Sequence, residues 1–167
     1  MTPRALELYL HRHIPLSKAM EASVVARDDG GIELSAPLPP NLNHRGTAFG
    51  GSVSSLAVLS AWTLLHIELG AAELPSRIVI QKSEFTYLKP IDGEFRAVCL
   101  RPAPAVWNRF LTTLRRRGKA RIALTASVFY GEVEAGLFTG DYVALGGADG
   151  DGGGGSSSLD TTASSSR

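Results

Sequence analysis

The segment Asn41-Leu42-Asn43-His44-Arg45-Gly46-Thr47-Ala48-Phe49-Gly50-Gly51-Ser52 concentrates residue types that can hold a polarised oxygen. The carboxamide of Asn43 can donate a hydrogen bond to a carbonyl oxygen or to a bound water. Gly50 and Gly51 stand where a long apolar run begins. The first N–H groups of a helix lack intrahelical partners and carry partial positive charge. A carbonyl oxygen lodged there gains hydrogen bonds that strengthen as it becomes an anion, and glycine lets it approach the backbone closely. The candidate catalytic groups are thus Asn43, Gly51 and Ser52, with Asn41, His44, Gly46, Thr47, Phe49 and Gly50 as candidate binding residues around them. Each also has a plainer reading. An asparagine in a loop commonly stabilises a turn, the lesser role that suits Asn41. Paired glycines allow tight helix packing, and serines at a helix start cap and pack.

Few other residues offer chemistry. No Asp or Glu lies on the apolar run before Glu68, so water activation would fall to Ser52, Ser55 or Asn43, or to Glu84 reaching in from a strand beside Lys82. His11, His13, His44 and His66 have no metal-ligand spacing, and neither a metal nor a cofactor is expected. A nucleophile-elbow serine, a phosphate-loop lysine and a His-Glu-x-x-His motif are all missing. Arg115-Arg116-Arg117-Gly118-Lys119, with Arg121, is a basic cluster that could meet phosphates or an acidic partner through Arg116. Cations at the end of a helix are equally explained by its dipole.

The elements that must position these groups can be read from spacing. Thr2 followed by Pro3 starts a helix, Leu6, Tyr9, Leu10 and His13 recur at helical spacing, and Pro15 ends the run. Met20–Arg27 and Ile32–Leu38 read as strands joined by the hairpin turn Asp28-Asp29-Gly30-Gly31. Residues 39–47 form a loop that delivers the chain to a long helix, about Gly50–Leu69. Arg77–Lys89 is a long strand, Pro90-Ile91-Asp92-Gly93 a turn, and Glu94–Arg101 a strand returning antiparallel. Trp107, Phe110, Leu111 and Leu114 mark an amphipathic helix ended by Gly118. Lys119–Tyr130 follows as a strand with Ile122, Leu124, Ala126, Val128 and Tyr130 on one face, and Val133–Leu145 forms the last one. From Gly146 the composition is Gly- and Ser-rich and buries too little apolar area to offset ordering entropy, so a domain of residues 1–145 is expected to precede a disordered tail, 146–167.

Bulk properties narrow the class. The chain of 167 residues, 44% hydrophobic and 20% charged, fits one domain with a real core. A net charge of +1 gives no basis for nucleic-acid binding. Cys99 is the only cysteine, which excludes an intramolecular disulfide and suits a reducing compartment. The first residues lack the apolar core of a secretion signal, so a cytoplasmic location is expected. Ala48–Ile67 carries no Asp, Glu, Lys or Arg and approaches the length of a bilayer span. Its glycines and serines, and the strands that follow, fit a buried helix better than a membrane span. A nearly uncharged helix needs a curved sheet around it, which gives an α+β architecture: an antiparallel sheet wrapped around a long central helix.

That architecture, together with the Asn41–Ser52 motif, resembles the hot-dog superfamily, and most of all the thioesterase-like domain at the C-terminus of bacterial YiiD proteins. Tyr87-Leu88-Lys89-Pro90-Ile91-Asp92-Gly93, the short Trp107 helix, Gly118-Lys119-Ala120-Arg121 and Phe138-Thr139-Gly140-Asp141-Tyr142 are similar to the same branch. The resemblance spans about residues 5–145 and implies a homodimer, or a dimer of dimers, with sites at the subunit interface. It also implies thioesters of coenzyme A or acyl carrier protein as substrates, with Tyr87 beside the site. The motif departs from the related phenylacetyl-thioesterase branch in two places. Phe49 stands where that branch has a histidine, and Val58 stands where it has an aspartate serving as base or nucleophile. Three activities therefore stay open: acyl-thioester hydrolysis, decarboxylation of a malonyl thioester, which needs oxyanion donors and no base for water, and binding without turnover.

Overall fold

A twenty-two-residue helix, α3 (Gly50–Ala71), is the axis of the computed structural model, which describes residues 1–28 and 30–146. Before it come α1 (Pro3–His13), α2 (Pro15–Ala19), β1 (Ser23–Asp28), β2 (Gly31–Ala36) and a 3-10 turn, Pro39–Asn41. After it come β3 (Ser76–Tyr87), β4 (Phe95–Leu100), α4 (Pro104–Arg117), β5 (Lys119–Tyr130) and β6 (Val133–Gly146). The six strands form one sheet in the order β1-β2-β4-β5-β6-β3, every pair antiparallel. Its inner face supplies Leu34, Phe95, Ala97, Val128 and Phe138, all buried against Leu56, Leu64 and Leu65 of α3. By length and composition α3 could cross a membrane, yet most of it is enclosed by this sheet.

The expected wrapped-helix architecture is therefore the observed one, and several boundaries fall where spacing put them. Thr2 Oγ1 accepts from the Ala5 amide at 3.2 Å, capping α1 ahead of Pro3. Asp28 pairs with Gly31 across the first hairpin. Gly118 closes α4 at φ 64°, a left-handed conformation that a side chain disfavours, and its amide bonds the Leu114 carbonyl at 2.8 Å. Burial alternates along β5 through Ile122, Leu124, Ala126 and Val128, but Tyr130, expected on the same face, is exposed beyond a register shift at Val128/Phe129. The expected tail lies outside the described residues except for Gly146, which ends β6.

Three expectations need correction. Pro15 does not simply end the first helix; it opens α2, because a proline at the first helical position is preorganised for it. The first strand therefore starts at Ser23, and buried Met20 belongs to the end of α2, where its amide bonds the Leu16 carbonyl. The third concerns pairing. β4 does not fold back on β3: β5 and β6 lie between them. β4 pairs with β2 instead, from Gly31↔Leu100 to Ala36↔Phe95, which sets Phe95, Ala97 and Cys99 against the helix. The Pro90 turn is thus a crossing at the end of the sheet, and β3 is left on its edge beside β6.

An aromatic stack fixes the N-terminal helix to the axis. Tyr9 of α1 lies 4.9 Å from His66 of α3 between ring centroids, and Trp62 lies 5.0 Å away on the other side of that imidazole. Burial lowers the His66 pKa below the ordinary histidine value, with a smaller push from His13. The unfolded chain then binds more protons than the folded one between the lowered value and about 6.5. This contribution to stability is full above that window and is lost as pH falls through it. Urea unfolding midpoints are expected to drop on acidification below about pH 6.5, and His66→Phe to flatten the slope. An identical slope in the variant would remove His66 from the account.

Candidate functional site

The start of α3 is built by hydrogen bonds from an irregular loop. Asn43 Oδ1 accepts from the Arg45 amide at 2.8 Å and the Thr47 amide at 3.2 Å, while Nδ2 donates to Thr47 Oγ1 at 2.8 Å and the Ala48 carbonyl at 3.3 Å. Both ends of this one carboxamide therefore fold the loop. Gly46, at φ 79°, makes the tight reversal inside it. Asn41 is buried beneath: Nδ2 donates to the Met20 and Pro37 carbonyls at 2.9 and 2.7 Å, and its backbone oxygen receives the Phe49 amide at 2.7 Å. Its Oδ1 is buried with no partner among the described residues. The Ala48 amide then bonds the Ile91 carbonyl at 2.7 Å, tying the helix entrance to the crossing between β3 and β4.

Phe49 is the N-cap residue, with extended backbone (φ −65°, ψ 129°) and no side-chain cap. The first intrahelical bond runs from the Val53 amide to the Phe49 carbonyl at 3.1 Å. The amides of Gly50, Gly51 and Ser52 have no acceptor among the described residues. They retain the positive end of a long helix dipole, uncompensated by an acidic residue in the first turn. Beside them opens a cleft of about 350 Å³, lined by Ala48, Gly50, Val53, Tyr87, Lys89 and Ile91 among others. The Tyr87 hydroxyl donates to the Gly50 carbonyl at 2.8 Å, and its ring would lie 3.3 Å from a Cβ on Gly50. Glycine there admits the phenol.

The structure thus brings Gly50, Gly51, Ser52 and Tyr87 together, with Asn43 and Thr47 as the frame of the loop. Phe49 is 57% exposed, its ring standing where a Cβ on Gly51 would project. His44 and Gly46 sit exposed on the loop. Asn41 faces inward, and Arg116, on the exposed last turn of α4, lines neither of the two clefts beside α3. Glu84 is an exposed residue of edge strand β3 and is likewise outside both clefts. Spacing alone missed Val53, Ile91 and Lys89. Lys89 is the one charged residue lining the cleft. Cys99 is no nucleophile, since burial pushes its thiol up to about 12. The described residues include no group of His, Cys, Asp and Glu side chains able to hold a metal.

One antiparallel sheet wrapped on a single long helix, with a cleft beside the free amides at that helix's start, defines a hot-dog domain of the thioesterase type. The chain belongs to the YiiD C-terminal family, described as "Putative thioesterase (yiiD_Cterm)", whose model matches residues 3–146. Solved structures agree. A protein of unknown function from Chlorobaculum tepidum superposes with a TM-score of 0.82 at 28% identity, over 87% of this chain and 94% of that one. A thioesterase, so named provisionally, from Shewanella oneidensis gives 0.77 at 26% identity over 86% and 96%. A Pseudomonas aeruginosa protein of unknown function gives 0.74 at 19% identity over 87% and 97%, a likeness of fold.

The bonds of Asn43 predict a cost on its removal. Asn43→Ala is expected to lower unfolding free energy by about 2 kcal/mol, since it leaves loop amides and a carbonyl unpaired. Chemical denaturation measures this, and a change within error would mean that solvent replaces these bonds fully.

Proposed function

We propose that this domain hydrolyses acyl thioesters, holding the carbonyl oxygen on the free amides at the start of α3. The observation that carries the reading is the set of three unpartnered N–H groups at Gly50, Gly51 and Ser52, beside a cleft that Gly50 lines. As water adds to the thioester carbon, negative charge gathers on the oxygen facing these donors, where it is stabilised most. The C–S bond then breaks, and the thiol leaves with a proton while the acid remains. Lys89 at the cleft suits the phosphates of coenzyme A or of a carrier-protein arm, and the exposed Arg116 cluster suits the same anions further out. Asn43 acts by holding the loop, and its carboxamide reaches a substrate only by exchanging one of its present bonds.

A second reading has its own support. The cleft lining includes no carboxylate or imidazole to activate water, and it does include the Lys89 ammonium. A malonyl thioester bound there would lose carbon dioxide, leave an enolate on the thioester oxygen, and take a solvent proton at carbon to give the acetyl thioester. The amides would serve that enolate equally well. Incubation with acyl- and malonyl-carrier protein separates the readings. Free thiol supports hydrolysis, acetyl-carrier protein without thiol supports decarboxylation, and binding without turnover reduces the domain to a carrier of thioesters.

Removing one donor tests the shared premise. Gly51→Pro deletes an N–H in the first turn of a helix, where proline is tolerated. Gly51→Ala keeps the N–H and brings the same Cβ against the Phe49 ring. The proline variant is expected to fall below the alanine variant in kcat/KM by about 10²–10³-fold. Equal rates would rule out an amide oxyanion site.

The same reading includes a homodimer. Strand β3 runs twelve residues along the sheet edge, with Val79, Ile80 and Tyr87 each more than a third exposed. A long edge carrying apolar side chains and unpaired backbone groups invites another strand, and β3 of a second copy is the matching one. Light scattering is expected to give a dimeric mass at micromolar concentration, and Val79→Lys to shift it toward the monomer. A monomeric mass for the native chain would refute the pairing.

A further inference from the structure

We propose that the Tyr87 hydroxyl acts on thioester hydrolysis through a peptide bond, as a positioning residue that strengthens the Gly51 amide as a donor. This inference rests on the thioester reading above. Each free N–H at the start of α3 shares one planar, conjugated peptide group with the carbonyl of the residue before it. A hydrogen bond donated to that carbonyl draws electron density toward the oxygen and leaves the N–H more positive. The same polarisation makes hydrogen bonds in a chain reinforce one another. What the three carbonyls accept therefore sets the strength of the three donors.

The three are not equally supplied. The Phe49 carbonyl, joined to the Gly50 amide, accepts the Val53 amide at 3.1 Å and no side chain among the described residues. The Gly50 carbonyl, joined to the Gly51 amide, lies within the helical ladder and also accepts the Tyr87 hydroxyl at 2.8 Å. The Gly51 carbonyl, joined to the Ser52 amide, accepts the Ser54 hydroxyl at 3.1 Å. A serine or threonine bonding back along its own helix is ordinary, and Ser60 and Thr63 do likewise further along α3. Tyr87 is different. It reaches in from the end of β3, thirty-seven residues away in the chain, and the Phe85 ring packs on it at 4.5 Å between centroids. A phenol carries one proton, and here it points at the Gly50 carbonyl. Tyr87 thus lines the cleft without donating to a substrate oxygen.

One oxyanion donor contributes about 10²–10³-fold in kcat, and cooperative strengthening amounts to about 10–30% per bond. Taken as that fraction of the exponent, the Tyr87 bond contributes about two- to eightfold. The effect belongs to kcat, because a ground-state carbonyl carries little of the charge that the donor meets.

The test compares the native full chain with Tyr87→Phe, which keeps the ring and loses the hydroxyl, and with Ser54→Ala. In nitrogen-15-labelled protein, Tyr87→Phe is expected to move the Gly51 amide resonance upfield and leave Ser52 in place, and Ser54→Ala to do the reverse. Shifts that miss the named amide, or that spread along α3 as a structural role would make them, overturn the proposal. With acyl-coenzyme A substrates from acetyl to palmitoyl, Tyr87→Phe is expected to lower kcat about two- to eightfold with KM within about twofold of native. A raised KM at native kcat would make Tyr87 a substrate contact instead. If thioesters are turned over and Tyr87→Phe matches the native kcat, the proposal falls and the hydrolase reading stands. If no thioester is turned over and the Gly51 shift is selective, the polarised amide stands and the hydrolase reading falls. Neither turnover nor a selective shift removes both.

Discussion

A long helix without charge can be buried only if its side chains face apolar neighbours, yet its first amides cannot be satisfied from within. α3 meets both conditions. The sheet covers its length, and the entrance loop delivers the chain without supplying a cap. The loop is well bonded except at the last step and at the buried Asn41 Oδ1: the Asn41 Nδ2, both ends of the Asn43 carboxamide and the Ala48 amide are spent on the Met20 and Pro37 carbonyls, the loop itself and the crossing segment. What remains at the helix start is a cluster of donors held by rigid surroundings. In the proposed reaction such donors would meet developing charge without first having to reorient.

Local signals carried far in this chain where the physics is local. The Thr2-Pro3 start, the Asp-Gly hairpin, the Gly118 stop and the alternation of β5 as far as Val128 depend on neighbours a few residues away, and each appears where its residues put it. Pairing of β3 and β4 is a different matter. Nothing within Arg77–Arg101 distinguishes a hairpin from a crossing, because β4 is selected by burial of Phe95, Ala97 and Cys99 beside β2, far back in the sequence. Pro15 was ambiguous for a related reason: proline ends one helix and begins another equally well.

The site was legible in type more than in contact. The glycine pair and its free amides follow from helix geometry alone, while the contact of Tyr87 with Gly50 joins residues far apart in the chain. The asparagines were harder. A carboxamide in a loop can face either substrate or backbone, and Asn43 divides both its ends among Arg45, Thr47 and Ala48. Lys89 went unnoticed because a lysine before a proline turn looks like ordinary surface. The second cleft beside α3, at Val58, was invisible for a deeper reason, since its walls come from α2, α3, β3 and β6 and no stretch of sequence contains them together.

The Tyr87 phenol joins two parts of the molecule that would otherwise be mechanically separate. It is the last residue of the edge strand, and its hydroxyl grips the carbonyl of the first residue of α3. The backbone just beyond it, at Leu88 and Lys89, is anchored to the Ala135 carbonyl, and Ile91 holds Ala48. A tug on the outer rim of the sheet is therefore delivered within a few bonds to the mouth of the helix. Whatever lies along that rim, or leaves it bare, also governs how steadily the three free amides point.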